Sequence, residues 1–153
     1  MSPRREHLEW MGRALRLAEH SLDSGDVPVG ALVVDSAGRV LGEGYNEREL
    51  TGDPTAHAEV LALRRAASAL GRWRLEGATL VVTLEPCLMC AGAALAARVD
   101  TIVYGAHDDK AGACGSVWDL PRDRAALHHP EVYAGIRAPE AAAQLRDFFT
   151  SRR

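Results

Sequence analysis

The chain has 153 residues, 47% of them hydrophobic and 25% charged, with a formal net charge of -3. That length suits a single domain spanning 1–153, with a core large enough to do without disulfides. No apolar run approaches the roughly 18 residues of a membrane span; the negative balance argues against indiscriminate nucleic-acid binding, DNA included, while leaving room for a local basic patch.

Leu8, Met11, Leu15, Ala18 and Leu22 recur at helical spacing, which predicts an amphipathic helix over 6–22, ended by Ser24, Gly25 and Asp26. The valine-rich stretch 29–35, the turn residues Ser36, Ala37 and Gly38, and the extended pattern over 40–45 predict a β-hairpin. After Asn46 a polar loop leads to Asp53 and Pro54, read as the cap and first residue of a helix that carries His57 and Glu59 as far as Leu70. Gly71 stops that helix, and the apolar run 78–84 predicts an interior strand delivering Cys87. The residues of 86–98 are almost all small or apolar, which predicts a helix buried on more than one side. A strand over 101–104 leads into the polar, glycine-bearing loop 105–112. A weak extended piece near Val117, a short helical stretch after Pro121, a strand over 131–136 and a last helix over 139–149 follow. Helix, hairpin, then alternating helix and strand predict a layered α/β domain with a mixed sheet.

Two stretches carry chemistry: His57-Ala58-Glu59 and Pro86-Cys87-Leu88-Met89-Cys90. Cys87 and Cys90 are three apart, so in the first turn of a helix their sulfurs share one face and can hold one ion. His57 and Glu59 are two apart and converge only near a helix start, which sets the metal before two helix N-termini, where thiolates are favoured. Three ligands and a spare acid match a hydrolytic zinc site, whose fourth position takes water with a pKa brought to roughly 7. Glu59 can then move that proton to a ring nitrogen and to departing ammonia. H-x-E followed by P-C-x-x-C is the established signature of zinc nucleobase deaminases, so this is a match to a known pattern. The competing reading is a closed structural cluster in which Cys114 folds back as the fourth ligand.

Three cysteines are an odd number, and two have a better use as ligands than as a disulfide, which fits a reducing compartment. The stretch from Met1 lacks the apolar middle of a signal peptide, so a cytoplasmic location is expected.

Beyond the metal motif, the runs Val27-Pro28-Val29-Gly30-Ala31, Gly44-Tyr45-Asn46, Asp53-Pro54-Thr55-Ala56, Thr83-Leu84-Glu85 and Gly105-Ala106 with Asp108, Lys110, Gly112 and Gly115-Ser116 are found along nearly the whole chain. With them the chain resembles bacterial tRNA-specific adenosine deaminases of the TadA type, within the cytidine-deaminase-like superfamily. The resemblance implies a three-layer α/β/α fold with a mixed, five-stranded central sheet. It also implies a homodimer with one zinc ion per subunit, held by His57, Cys87 and Cys90. Glu59 matches the proton shuttle, Asn46 the residue that holds the base, and Asp108 a position that contacts the substrate backbone. The implied reaction converts wobble adenosine 34 in the anticodon stem-loop of an arginine tRNA to inosine, by attack of activated water at adenine C6. Tyr45, His107 and Cys114 depart from the usual residues. The alternative within the superfamily is a deaminase of a free base or nucleoside, guanine or cytosine; outside it, a non-catalytic zinc-stabilised binding domain.

Some residues keep two readings. Asn46 suits a purine edge and, equally, a turn after a strand. Phe148 and Phe149 read as buried, with Arg152 and Arg153 either on phosphate or at a solvated helix end. His7 and His20 are expected on the exposed side of the first helix, and Trp10, Trp73 and Trp118 in the core or a dimer contact.

Overall fold

A computed structural model describes residues 4–152; the readings made on the residues before Arg4 and on Arg153 lie outside them. Helix α1 (Arg5–Glu19) passes through a 3-10 turn (His20–Ser24) to strands β1 (Gly30–Val34) and β2 (Val40–Tyr45). A single-turn helix α2 (Arg48–Thr51) precedes α3 (Ala58–Leu70), β3 (Thr79–Leu84), α4 (Leu88–Ala96) and β4 (Thr101–Ala106). A short 3-10 turn (Leu120–Arg122), β5 (Glu131–Tyr133) and α5 (Ala138–Thr150) complete the fold.

The five strands form one mixed sheet in the order β2-β1-β3-β4-β5, antiparallel on both sides of β1 and parallel from β3 to β5. Alternation sends Ala31, Val33, Leu80, Val82, Ile102 and Tyr104 to a core shared with α3 and α4. Leu32, Val34, Val81 and Val103 face the other way, onto Met11 and Ala14 of α1. Gly105 turns toward Ala141 of α5 on that second side, which completes three layers. The layered α/β/α architecture with a five-stranded mixed sheet is thus as expected. Its register brings the ends of β2, β3 and β4 out at one edge: Tyr45 pairs Gly30 at the start of β1, Ala31 pairs Val82, and Leu84 pairs Ala106.

Helix α3 lies unusually close to edge strand β2, because Gly42 and Gly44 have no side chains to hold it off. A Cβ on either would come within 2.5 Å of the Ala62 or Ala58 carbonyl oxygen.

Several expectations are corrected. The first helix buries His7, Met11, Ala14 and Ala18, while Leu8 and Leu22 are exposed. His7 enters the core because its ring meets Tyr133 edge-on at 4.7 Å, a contact the helical period alone does not reveal. Helix α4 is buried on one side only, with Leu88 and Met89 exposed. Trp73 and Trp118 are exposed, which sets aside the core for both and leaves their dimer-contact reading untouched; Arg74 lies over the Trp73 ring at 4.8 Å. Phe148 is buried beneath the Arg152 guanidinium, 4.3 Å from its ring centre, but Phe149 is exposed. The stretch near Val117 makes one isolated bridge, Cys114 to Asp119, in place of a strand.

Candidate active site

Helix α3 begins at Ala58, later than Pro54 suggested, because Asp53 spends its Oδ1 on the N–H and hydroxyl of Thr55, both at 2.8 Å. The open first N–H of α3 is taken by a residue from outside. Asn46, buried just after β2, accepts from the Ala58 N–H at 2.9 Å and donates through Nδ2 to the Val27 carbonyl at 3.0 Å. His57 therefore occupies the N-cap position without capping, and its imidazole is free to meet the next helix start. There Cys87 is the N-cap of α4, and Cys90 lies three residues further on.

His57 Nδ1 is 3.7 Å from Cys87 Sγ and 3.4 Å from Cys90 Sγ, and one ligand atom from each of the three lies within 4.8 Å of the others. Two sulfurs and an imidazole nitrogen at this spacing fit a borderline-soft cation such as zinc, with three protein ligands and one position left for the reaction. Cys114 does not join them. It lies in the core with Ile102 and Tyr104, where burial pushes its thiol up to about 12. The Cys90 thiol, with the His57 imidazole, holds Cys87 down at about 3, against the effect of burial; the same hydrogen bond raises Cys90. Cys87 in turn raises His57. A cation binding to such a set displaces the protons that remain.

Glu59 is in the first turn of α3 and 4% exposed, lining a cavity of about 250 Å³ with Val27, Val29, Asn46, Asp108 and Ala111. Burial pushes its carboxyl up to about 7, and the Cys87 charge adds to this, while its own backbone N–H and His57 oppose. A carboxyl titrating near neutrality inside a cleft is suited to proton transfer. His57 and Cys87 border the same cavity. Asp108 stands at its rim, with Oδ1 accepting from the N–H groups of Lys110 at 3.0 Å and Ala111 at 3.1 Å. Oδ2 of Asp108 has no partner among the described residues.

Sequence reasoning passed over Glu85. Its side chain is fully buried, and it accepts from the N–H of Asp108 at 3.0 Å, of Cys114 at 3.0 Å and of Ser116 at 3.1 Å, and from the Ser116 hydroxyl. Burial alone would raise this carboxyl, but the Ser116 hydroxyl and the backbone donors outweigh it and hold it below the ordinary glutamate value. The available signal was an acid directly after the apolar run 78–84, where a charge is costly unless hydrogen-bonded.

Comparison with known proteins agrees with this geometry. Residues 4–106 match the cytidine and deoxycytidylate deaminase zinc-binding region. A tRNA-specific adenosine deaminase of Haemophilus influenzae is 46% identical over 94% of this chain and 83% of its own length. A Deinococcus deserti protein named tRNA(Ile)-lysidine synthase is 52% identical over 94% of this chain, which spans only 27% of that longer protein. A solved structure from a study of A-to-I editing by tRNA:A34 deaminases superposes with a TM-score of 0.86 at 42% identity, covering 90% of this chain and 99% of that one. The match extends well past the metal motif and runs through most of the Haemophilus protein, so the chain belongs to the zinc-binding cytidine and deoxycytidylate deaminase family, on its tRNA-specific adenosine deaminase branch.

Proposed function

We propose that the protein is a zinc-dependent hydrolytic tRNA deaminase that converts wobble adenosine 34 of an arginine tRNA anticodon to inosine and releases ammonia. One observation carries the reading: a buried, near-neutral carboxyl, Glu59, shares a base-sized cavity with His57 and Cys87, with Cys90 in reach of both ligands. His57, Cys87 and Cys90 would hold one zinc ion, which when bound supplies the Lewis acidity that makes water nucleophilic near neutral pH. Glu59 takes one proton from the attacking water and delivers it to the ring nitrogen beside C6, then moves the second proton, from the hydroxyl added at C6, to the amine as the C6–N bond breaks and the carbonyl forms. Asn46 uses one amide hydrogen on Val27 and has a second for the purine edge. Asp108, with Oδ2 unused, accepts from a ribose hydroxyl of the substrate backbone.

An anticodon-loop nucleotide is already unpaired, so placing its base in the cavity costs little. Leu84, Asp108 and Ala111 also line an outer groove of about 670 Å³ that bears Lys110, Arg146 and the exposed ring of Phe149 alongside the acid Asp109. Cations for phosphate and a ring for stacking support a polynucleotide over a free base. Leu88 and Met89 on α4, with Val117 and Trp118 on the segment beside it, leave apolar surface that supports a homodimer. Trp118→Glu is expected to shift the mass measured by light scattering to that of a monomer. A tRNA substrate and three unbridged cysteines support a cytoplasmic location; no described helix is long and apolar enough to cross a membrane.

The test is zinc-loaded protein incubated with an anticodon stem-loop RNA and, separately, with free adenine, guanine and cytosine nucleosides and bases, reading inosine and ammonia. Inosine at the wobble position is expected. Ammonia from the small molecules alone would replace this reading with a free-base or nucleoside deaminase.

A further inference from the structure

Loop 107–116 leaves the end of β4, passes the cavity and sets Asp108 and Ala111 on its wall. Inside the loop, the Gly112 N–H donates to the Asp108 carbonyl at 2.9 Å, but that bond does not anchor the loop to the domain. Glu85 does. Its Oε1 accepts from the Asp108 N–H and the Ser116 hydroxyl, and its Oε2 from the N–H groups of Cys114 and Ser116. Gly112 rests against the same carboxyl, so closely that a Cβ there would overlap it. The Ala113 N–H adds a bond to the Pro86 carbonyl at 2.8 Å. Donors from three points of the loop thus converge two residues before Cys87. An apolar side chain would fill this space at lower desolvation cost. What the carboxylate adds is registry between the substrate-facing loop and the turn that presents Cys87.

We infer that Glu85 is a positioning residue: it locks loop 107–116 so that Asp108 and Ala111 form the wall beside Cys87, and it thereby sets affinity for the polynucleotide rather than the chemistry at the base. The kinetic side of this rests on the RNA deaminase reading; the structural side does not.

Glu85→Gln keeps the shape but presents an amide end that cannot accept from an N–H, and Ser116→Ala removes one donor only. Both are compared with the parent, zinc-loaded, for zinc content, for kcat and KM on an anticodon stem-loop RNA, and for hydrogen exchange at the amides of Asp108, Cys114 and Ser116. Glu85→Gln should retain zinc, raise KM about tenfold or more with kcat within about threefold, and speed exchange at all three amides. Ser116→Ala should move KM and exchange the same way by less. In an Asp108→Ala background, Glu85→Gln should raise KM far less than in the parent, because the two act through one loop. Loss of zinc, a fall in kcat at unchanged KM, or additive effects in the double variant would each overturn the inference. Should Glu85→Gln not fold, unchanged exchange at Asp108 in Ser116→Ala overturns it. Should the parent not act on RNA, the proposed function fails, while faster exchange at the three amides still supports the lock and unchanged exchange still refutes it.

Discussion

The first turn of α3 and the turn that ends β3 each shield a glutamate from solvent, 4% exposed for Glu59 and 2% for Glu85, with Glu59 the more densely enclosed by protein, and they set the two carboxyls on opposite sides of the ordinary value. Glu59 has its own backbone N–H and a weak thiol partner, Cys90, so burial dominates and the carboxyl rises to about 7. Glu85 has three backbone N–H groups and a hydroxyl, which favour its ionised form strongly enough to reverse the effect of burial. Depth sets the cost of a charge, and the donors that reach it decide whether that cost is offset. One residue is left able to exchange a proton; the other is committed to holding a loop.

Substitution sharpens this contrast. Glu59→Gln should lower deaminase turnover by about a thousandfold, the range expected for a lost general acid–base, while metal analysis still finds the parent's zinc content. Removing a poorly compensated buried carboxyl should also leave the melting temperature equal or higher, and a clear drop would break the comparison. Glu85→Gln should do the reverse to stability, lowering it by about 3 kcal/mol in urea titration, because the amide end leaves one or two buried N–H groups without an acceptor and removes the charge from the remaining bonds. Cys114 serves Glu85 through its backbone N–H, so Cys114→Ala should keep full zinc and cost about 1 kcal/mol as a small core deletion. Loss of metal in that variant would restore the closed four-ligand cluster.

The smallest expected effect carries the same rule to a base. Burial, with Arg4 adding and Glu6 opposing, depresses the His7 imidazole below its ordinary 6.5. A group depressed in the folded state contributes stability that is complete above the ordinary value and lost as pH falls through the depressed one. His7→Phe should therefore flatten the fall in stability between about pH 7 and pH 5, by less than about 1 kcal/mol, measured by urea titration at each pH. An unchanged slope would mean that other groups set it.

Spacing and apolar patterning were enough to find the strands, α3 and the residues that could hold a metal, because these depend on short-range geometry: apolar runs in β1 and β3, a step of three positions from Cys87 to Cys90, and a step of two from His57 to Glu59. The acid before Pro86 was visible too, but its partners come from 23 to 31 residues away, and nothing local says which donors will arrive. The same holds for Asn46, which caps a helix beginning 12 residues later, and for Cys114, whose place in the core depended on how loop 107–116 closes. The sequence by itself determined which side chains could hold a cation and move a proton. Only the tertiary structure decided which carboxyl is left protonatable and which is bound as an anchor, because charge state is a property of the neighbours that folding supplies.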